Sequence, residues 1–186
     1  MPFTRKAAIG FLRRAHENNR LAHAYLISGP VGSGKREVAA ELANAVNGTN
    51  VNEVFSSKAR EIFVAEPESK SRRILITQIR ELEHGLQMRG HEGRQKVGII
   101  ADADRLQPHA ANAFLKTLEE PPGNSLLLLL SALPEALPDT IVSGNASGSA
   151  LNSSSSELPG GSSSVFKNAL AACGCKRSAS ATIPTF

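Results

Sequence analysis

The stretch Gly29-Pro30-Val31-Gly32-Ser33-Gly34-Lys35-Arg36 leaves this chain few folds to choose from. It follows the apolar run Ala24-Tyr25-Leu26-Ile27 and precedes a helical pattern from Glu37 to Ala43. A strand, a glycine-rich loop and a helix in that order make a phosphate cradle. Glycines let successive backbone N–H groups turn inward without Cβ clashes, and the helix N-terminus adds partial positive charge. The pattern is G-x-x-x-x-G-K-[ST] through its lysine, so Lys35 is placed to reach β- and γ-phosphates. At the last position Arg36 replaces the Ser or Thr whose hydroxyl would bind Mg²⁺. Binding of a nucleotide and its hydrolysis are therefore separate questions.

A loop of this kind needs a buried parallel sheet around it, and the chain supplies the strands. Glu61 to Ala65, Lys96 to Ala101 and Ser125 to Ala132 read as strands, the last Leu-rich as expected when both faces are covered. Helical patterns separate them. Lys6 to Asn19 places Ile9, Leu12 and His16 on one face, with Phe11 beside it. Leu75, Ile79, Leu82 and Leu86 form a second stripe, which Gly85 weakens. Pro108 to Glu119 is a third, with Ala111, Phe114, Leu115 and Leu118 on one face, ended by Pro121-Pro122-Gly123. Pro134 to Val142 is compatible with one short helix. The predicted class is α/β, a three-layer phosphate-loop parallel sheet with helices on both faces.

In such sheets ligands bind outside the carboxyl ends of the strands. Two predicted strand ends carry chemistry there. Asp102, after Lys96–Ala101, is a candidate for holding Mg²⁺ or polarising water, the alternative being a turn cap. Ser131 ends the Leu-rich strand. His23 and Tyr25 flank the first strand, where edge packing competes with contact to a nucleotide base.

Charge and cysteines narrow the setting. The net charge of +4 permits contact with nucleic acid without requiring it. Lys70, Arg72, Arg73 and Arg89 are available for phosphates or for solvent. The two cysteines, Cys173 and Cys175, leave residues 1–172 without a thiol, which suits a reducing cytosol. Arg5, Lys6, Arg13 and Arg14 interrupt any leader-like apolar stretch, and Leu126–Leu130 is far short of a membrane span. These features predict a cytoplasmic chain with no membrane contact.

Composition changes abruptly after Ser143. Residues 144–186 hold Ser153-Ser154-Ser155-Ser156, Gly160-Gly161 and Ser162-Ser163-Ser164, with four charges in all. Such a segment has too little apolar surface to offset its ordering entropy. The expected division is a nucleotide-binding domain over 1–143 and a low-complexity tail over 144–186, with at most a weak helix at Val165 to Ala172. Cys173-Gly174-Cys175 lacks the second ligand pair of a zinc site.

Several stretches together resemble one family. They are Leu21-Ala22-His23-Ala24-Tyr25-Leu26-Ile27-Ser28-Gly29-Pro30, the lysine loop, Ile99-Ile100-Ala101-Asp102-Ala103-Asp104-Arg105-Leu106, and Asn112 through Pro122. The last contains Leu115-Lys116-Thr117-Leu118-Glu119-Glu120-Pro121-Pro122, the most specific of them. Together they look like the bacterial DNA polymerase III clamp loader, of the AAA+ class, and within it the delta-prime type fits best. The resemblance covers about residues 6–143. It implies a five-stranded sheet followed by lid and collar domains. It also implies a loader that uses ATP to place a sliding clamp on primed DNA, as part of the polymerase holoenzyme. By resemblance Gly29 to Lys35 is the Walker A loop, Asp102 lies in the Walker B region and Ser131 is at sensor 1.

The departures bear on activity. Arg36 and Ala101 stand where the family's metal ligands would be, so Mg²⁺ lacks its ligands and hydrolysis is expected to be crippled. Any ATP bound would then be held weakly or without metal. The family's four zinc-binding cysteines are absent from this stretch, so no zinc is expected. After Ser143 the family's arginine is missing, and no counterpart of the fifth strand, lid or collar is legible. The sequence thus predicts truncation or a frame shift near Ser143 and a bare outer edge on the first strand. Three functions follow in order. The first is a degenerate-ATPase subunit partnered by other loader subunits and, through the assembly, by clamp and primer–template DNA. The second is an active gamma/tau-type ATPase. The third is a phosphate-loop module outside replication.

Overall fold

The computed structural model describes residues 4–56, 59, 61–67, 72–88, 94–138 and 141, together with the backbone of 169–171. Its elements are α1 (Arg5–Glu17), β1 (Ala24–Ser28), α2 (Lys35–Asn47), β2 (Ile62–Ala65), α3 (Ile76–Gln87), β3 (Lys96–Ile100), α4 (Pro108–Glu119), β4 (Ser125–Ser131) and β5 (Ala169–Ala171). All described strands run parallel in the order β2-β3-β4-β1-β5.

Side-chain alternation along each strand builds two cores. Tyr25, Ile27, Val97, Ile99, Leu126 and Leu128 meet Leu12 of α1 and Val38 and Leu42 of α2 on one face. Leu26, Ile100, Leu127 and Leu129 meet Ile79, Leu82 and Leu86 of α3 and Phe114 and Leu118 of α4 on the other. Every leucine of Leu126–Leu130 is buried, because β4 lies inside the sheet with helices above and below. Most predicted helix and strand positions agree with the structure within two residues, although α2 runs to Asn47, four residues past the predicted Ala43, and the α/β sandwich is as expected.

Local chemistry sets the boundaries. Thr4 Oγ1 accepts from Ala7 N at 3.3 Å and opens α1, while the Asn18 side-chain amide donates to Arg14 O at 2.7 Å and closes it. Arg13 of α1 pairs with Glu41 of α2. Pro108 takes the first position of α4, where no N–H is needed. Thr117 donates to Glu83, joining α4 to α3. Lys96 is buried, and its Nζ donates to Leu86 O at 2.9 Å, closing the C-terminal end of α3.

Four expectations are corrected. Gly85 is no weak point: a Cβ there would lie 2.3 Å from the Phe63 ring, so the missing side chain is what lets α3 close on β2. Tyr25 cannot reach a nucleotide base. Its ring is buried, its hydroxyl accepts from Ala22 N at 2.9 Å, and burial raises its pKa above the ordinary tyrosine value. Residues Pro134–Ala136 form a single 3-10 turn rather than the start of a longer helix. The outer edge of β1 is not bare. Leu26, Ile27 and Ser28 pair in parallel with Ala169, Leu170 and Ala171, so those tail residues are extended, not helical. An open edge presents unpaired N–H and C=O groups, and an extended segment satisfies them whatever its helix propensity. Lys70, Arg89, Ser143, Cys173 and Cys175 lie outside the described residues.

Candidate functional site

The site grows from the C-terminal end of β1. Gly29 N donates to Ser131 O at 3.0 Å, carrying the β1–β4 ladder one residue past the strand. Ser33 N donates back to Pro30 O at 3.1 Å, and the chain then enters α2. Gly32 (φ 81°) and Gly34 (φ 83°) both hold left-handed backbone, which residues with a Cβ rarely adopt. Lys35, the first residue of α2, is buried, and its Nζ donates back to Gly29 O at 3.3 Å. The Ser33 hydroxyl is buried without a partner. A buried cation folded over the loop and an orphaned hydroxyl within it suit a phosphate group, which would accept from both. Val31, by contrast, is 89% exposed at the loop's tip.

Arg36 points out of the loop. Its guanidinium pairs with Glu66, at the end of β2, and lies 4.5 Å from the centroid of the Phe55 ring. A second arginine approaches from α1. A Cβ added to Gly34 would meet Arg5 Cδ at 3.0 Å and Arg5 Nη1 at 3.7 Å, so the Arg5 side chain lies across the loop. Sequence reasoning missed Arg5 and Glu66 as neighbours of the site. An arginine in a first helical turn and a glutamate before a proline carry no local signal, and only packing brings them here.

Carboxylates at the end of β3 divide differently from the expected pattern. Asp102 has left-handed backbone (φ 57°, ψ 55°), and its side chain makes no capping hydrogen bond. Its carbonyl accepts from Arg105 N at 2.9 Å. Asp104 is the carboxylate that reaches β4: its Oδ1 accepts from Ser131 Oγ at 3.0 Å and from Ala132 N at 2.9 Å. Ser131 is fully buried, and its Oγ also accepts from Leu133 N at 3.2 Å. Both hydrogen-bonding roles of that hydroxyl are thus taken up inside the protein. The structure brings Ser131 to Asp104 and not to Asp102.

This donor set does not fit a phosphate-bound Mg²⁺. The hydroxyl position holds a guanidinium, Ala101 offers no side-chain ligand and Asp104 is engaged by β4, which leaves Asp102 as a single uncapped carboxylate at the strand end. The residues fit the anion and not the metal.

Residues 4–146 match the family described as DNA polymerase III, delta subunit. The chain belongs to that family. It is 37% identical over 134 residues to DNA polymerase III subunit delta' of Pseudomonas aeruginosa, spanning 66% of this chain and 41% of that protein. It is 33% identical over 138 residues to the delta' subunit of Bacillus subtilis, spanning 68% of this chain and 41% of the relative. The tau/gamma subunit of Haemophilus influenzae is 39% identical over 137 residues, 68% of this chain and 20% of that protein. Among solved structures, a gamma subunit-related protein of Thermotoga maritima superposes with a TM-score of 0.56 at 30% identity, over 72% of this chain and 42% of its own. The chain thus spans about two fifths of the delta' relatives. The Leu115–Pro122 run that carried the resemblance has a structural job in this delta-family fold. It ends α4, supplies the Thr117–Glu83 link, and offers Pro122 O to the Ser125 hydroxyl at the start of β4.

Proposed function

We propose that this chain serves as a delta-prime-type subunit of the polymerase III clamp loader, with a phosphate loop that binds nucleotide but does not hydrolyse it. One observation carries the reading. Arg36 occupies the position of the metal-binding hydroxyl and is ion-paired with Glu66. Hydrolysis by phosphate-loop enzymes depends on a cation bridging β- and γ-oxygens and on a free carboxylate beside it. Here Asp104 is spent on Ser131 and Ala132, and Asp102 stands beside a position whose metal-binding hydroxyl is replaced by Arg36, so the cation has no seat. Lys35 and the loop amides would hold the phosphates, and Ser33 Oγ would find its missing partner there. The subunit's contribution to loading would be structural, through the other loader subunits and, in the assembly, through clamp and primed DNA. A cytoplasmic setting follows from that role; no helix among the described residues is long and apolar enough to cross a membrane.

Likeness to tau/gamma subunits favours a second reading, an active motor-type ATPase. Phosphate release by the purified full chain, alone and with the other loader subunits, separates the two. The proposal expects release no faster than from Lys35→Ala and co-purification with loader subunits. Release that Lys35→Ala abolishes would establish the motor reading instead.

A further inference from the structure

We infer that Arg36, assisted by Arg5, replaces the divalent cation at the phosphate loop, and that Glu66 holds Arg36 in reserve until a polyphosphate displaces it. The inference rests on the nucleotide-binding reading above and specifies how that site is neutralised.

The position of the ion pair comes first. Arg36 follows β1 and Glu66 follows β2, yet β4 and β3 lie between those strands in the sheet. Three strand spacings amount to about 14 Å. Arg36 lies in the first turn of α2, between those strands and past the loop, so the pair stands at the carboxyl end of the sheet, the edge where a phosphate-bound cation would sit. The Phe55 ring supports the guanidinium from one side at 4.5 Å. Arg36 and Glu66 side chains are 48% and 44% exposed, so the pair is open to competition from solvent-borne anions.

Arg5 supplies the second observation. Its side chain packs on Gly34 from a different element, α1, and brings another guanidinium to the loop. With Lys35 in the loop, Arg5 against it and Arg36 just beyond it, three cations stand at or beside one cradle, and among the described residues Glu37 and Glu66 lie near them. A guanidinium offers planar, bidentate donation to phosphate oxygens and keeps its charge at any working pH, so it can neutralise a polyphosphate without a metal. Charge-assisted bonds to phosphate are stronger than an exposed carboxylate pair, so a bound triphosphate draws Arg36 off Glu66.

The test is calorimetric titration of ATP into the full chain, once with Mg²⁺ and once with a chelator. The variants are Arg36→Ala, Arg36→Thr, Arg5→Ala, Glu66→Gln and Lys35→Ala, each checked for folding by circular dichroism. ATP affinity should agree within about threefold with and without Mg²⁺, and Arg36→Ala should weaken metal-free binding by about tenfold or more. Glu66→Gln should tighten it, since the competing carboxylate charge is gone. Arg5→Ala should weaken it, and Arg36→Thr should make it Mg²⁺-dependent. Binding that needs Mg²⁺ and ignores Arg36→Ala overturns the inference while leaving nucleotide binding intact. No binding under either condition overturns both.

Discussion

At the residue scale the two aspartates after β3 differ in burden despite standing two positions apart. Asp104 holds a buried hydroxyl and a backbone N–H, whereas the Asp102 side chain caps nothing. Asp104→Ala should cost about 1–3 kcal/mol, because it leaves the Ser131 hydroxyl and Ala132 N–H without their acceptor. Asp102→Gly should stay within about 0.5 kcal/mol, since glycine adopts the left-handed backbone freely. Urea denaturation of the two variants checks the contrast, and equal losses would contradict it. The sequence pointed to Asp102 because it directly follows a buried strand, at the edge where such sheets bind ligands. Which carboxylate turns toward β4 depends on the turn at Ala103–Arg105, and that turn has no separate mark in the residues.

At the element scale, close approach decides how α3 sits on the sheet. Gly85→Ala gains helix propensity but puts a methyl into the Phe63 ring, so it should destabilise by about 1–3 kcal/mol. Combining it with Phe63→Leu should recover part of the loss. A gain in stability for the single variant would show that the ring moves aside freely. The β1 edge gives a second expectation. Removing residues 144–186 takes away β5 and exposes the N–H and C=O groups of Leu26–Ser28. The shortened chain should self-associate, seen as light scattering that rises with concentration; a monodisperse monomer would exclude the edge as the cause. The α3 stripe was plain from its 3–4 spacing. The pairing of β5 was not, because Ala169, Leu170 and Ala171 favour a helix by local propensity and the open edge of β1 overrides it.

For the molecule as a whole, two cores share one sheet, and Tyr25 stands in the core under α1 and α2. Burial raises the Tyr25 pKa above its ordinary value, although the Ala22 N–H opposes this. In the unfolded chain the phenol ionises near pH 10, while in the fold it stays neutral to higher pH. Between those values the unfolded state binds fewer protons, so the stability present below about pH 10 is lost as pH rises. Thermal melts from pH 8 to 11 should show this decline, and Tyr25→Phe should flatten it while lowering neutral-pH stability by about 1 kcal/mol. An unchanged alkaline slope in Tyr25→Phe would assign the decline to other groups.

What the amino-acid sequence determined by itself was local and periodic. Strand–loop–helix order around Gly29–Arg36, the 3–4 stripes of α3 and α4, and the Leu-rich run of β4 all follow from spacing, and spacing survives in one dimension. The tertiary structure alone decided which charges meet. Arg36 with Glu66, Arg5 over Gly34, Asp104 with Ser131 and Lys96 on the last turn of α3 each join residues from separate elements. Ion pairs and hydrogen bonds act over a few ångströms in space and leave no period in the chain. The fold of this site was therefore legible beforehand, while the charged contacts around it were not.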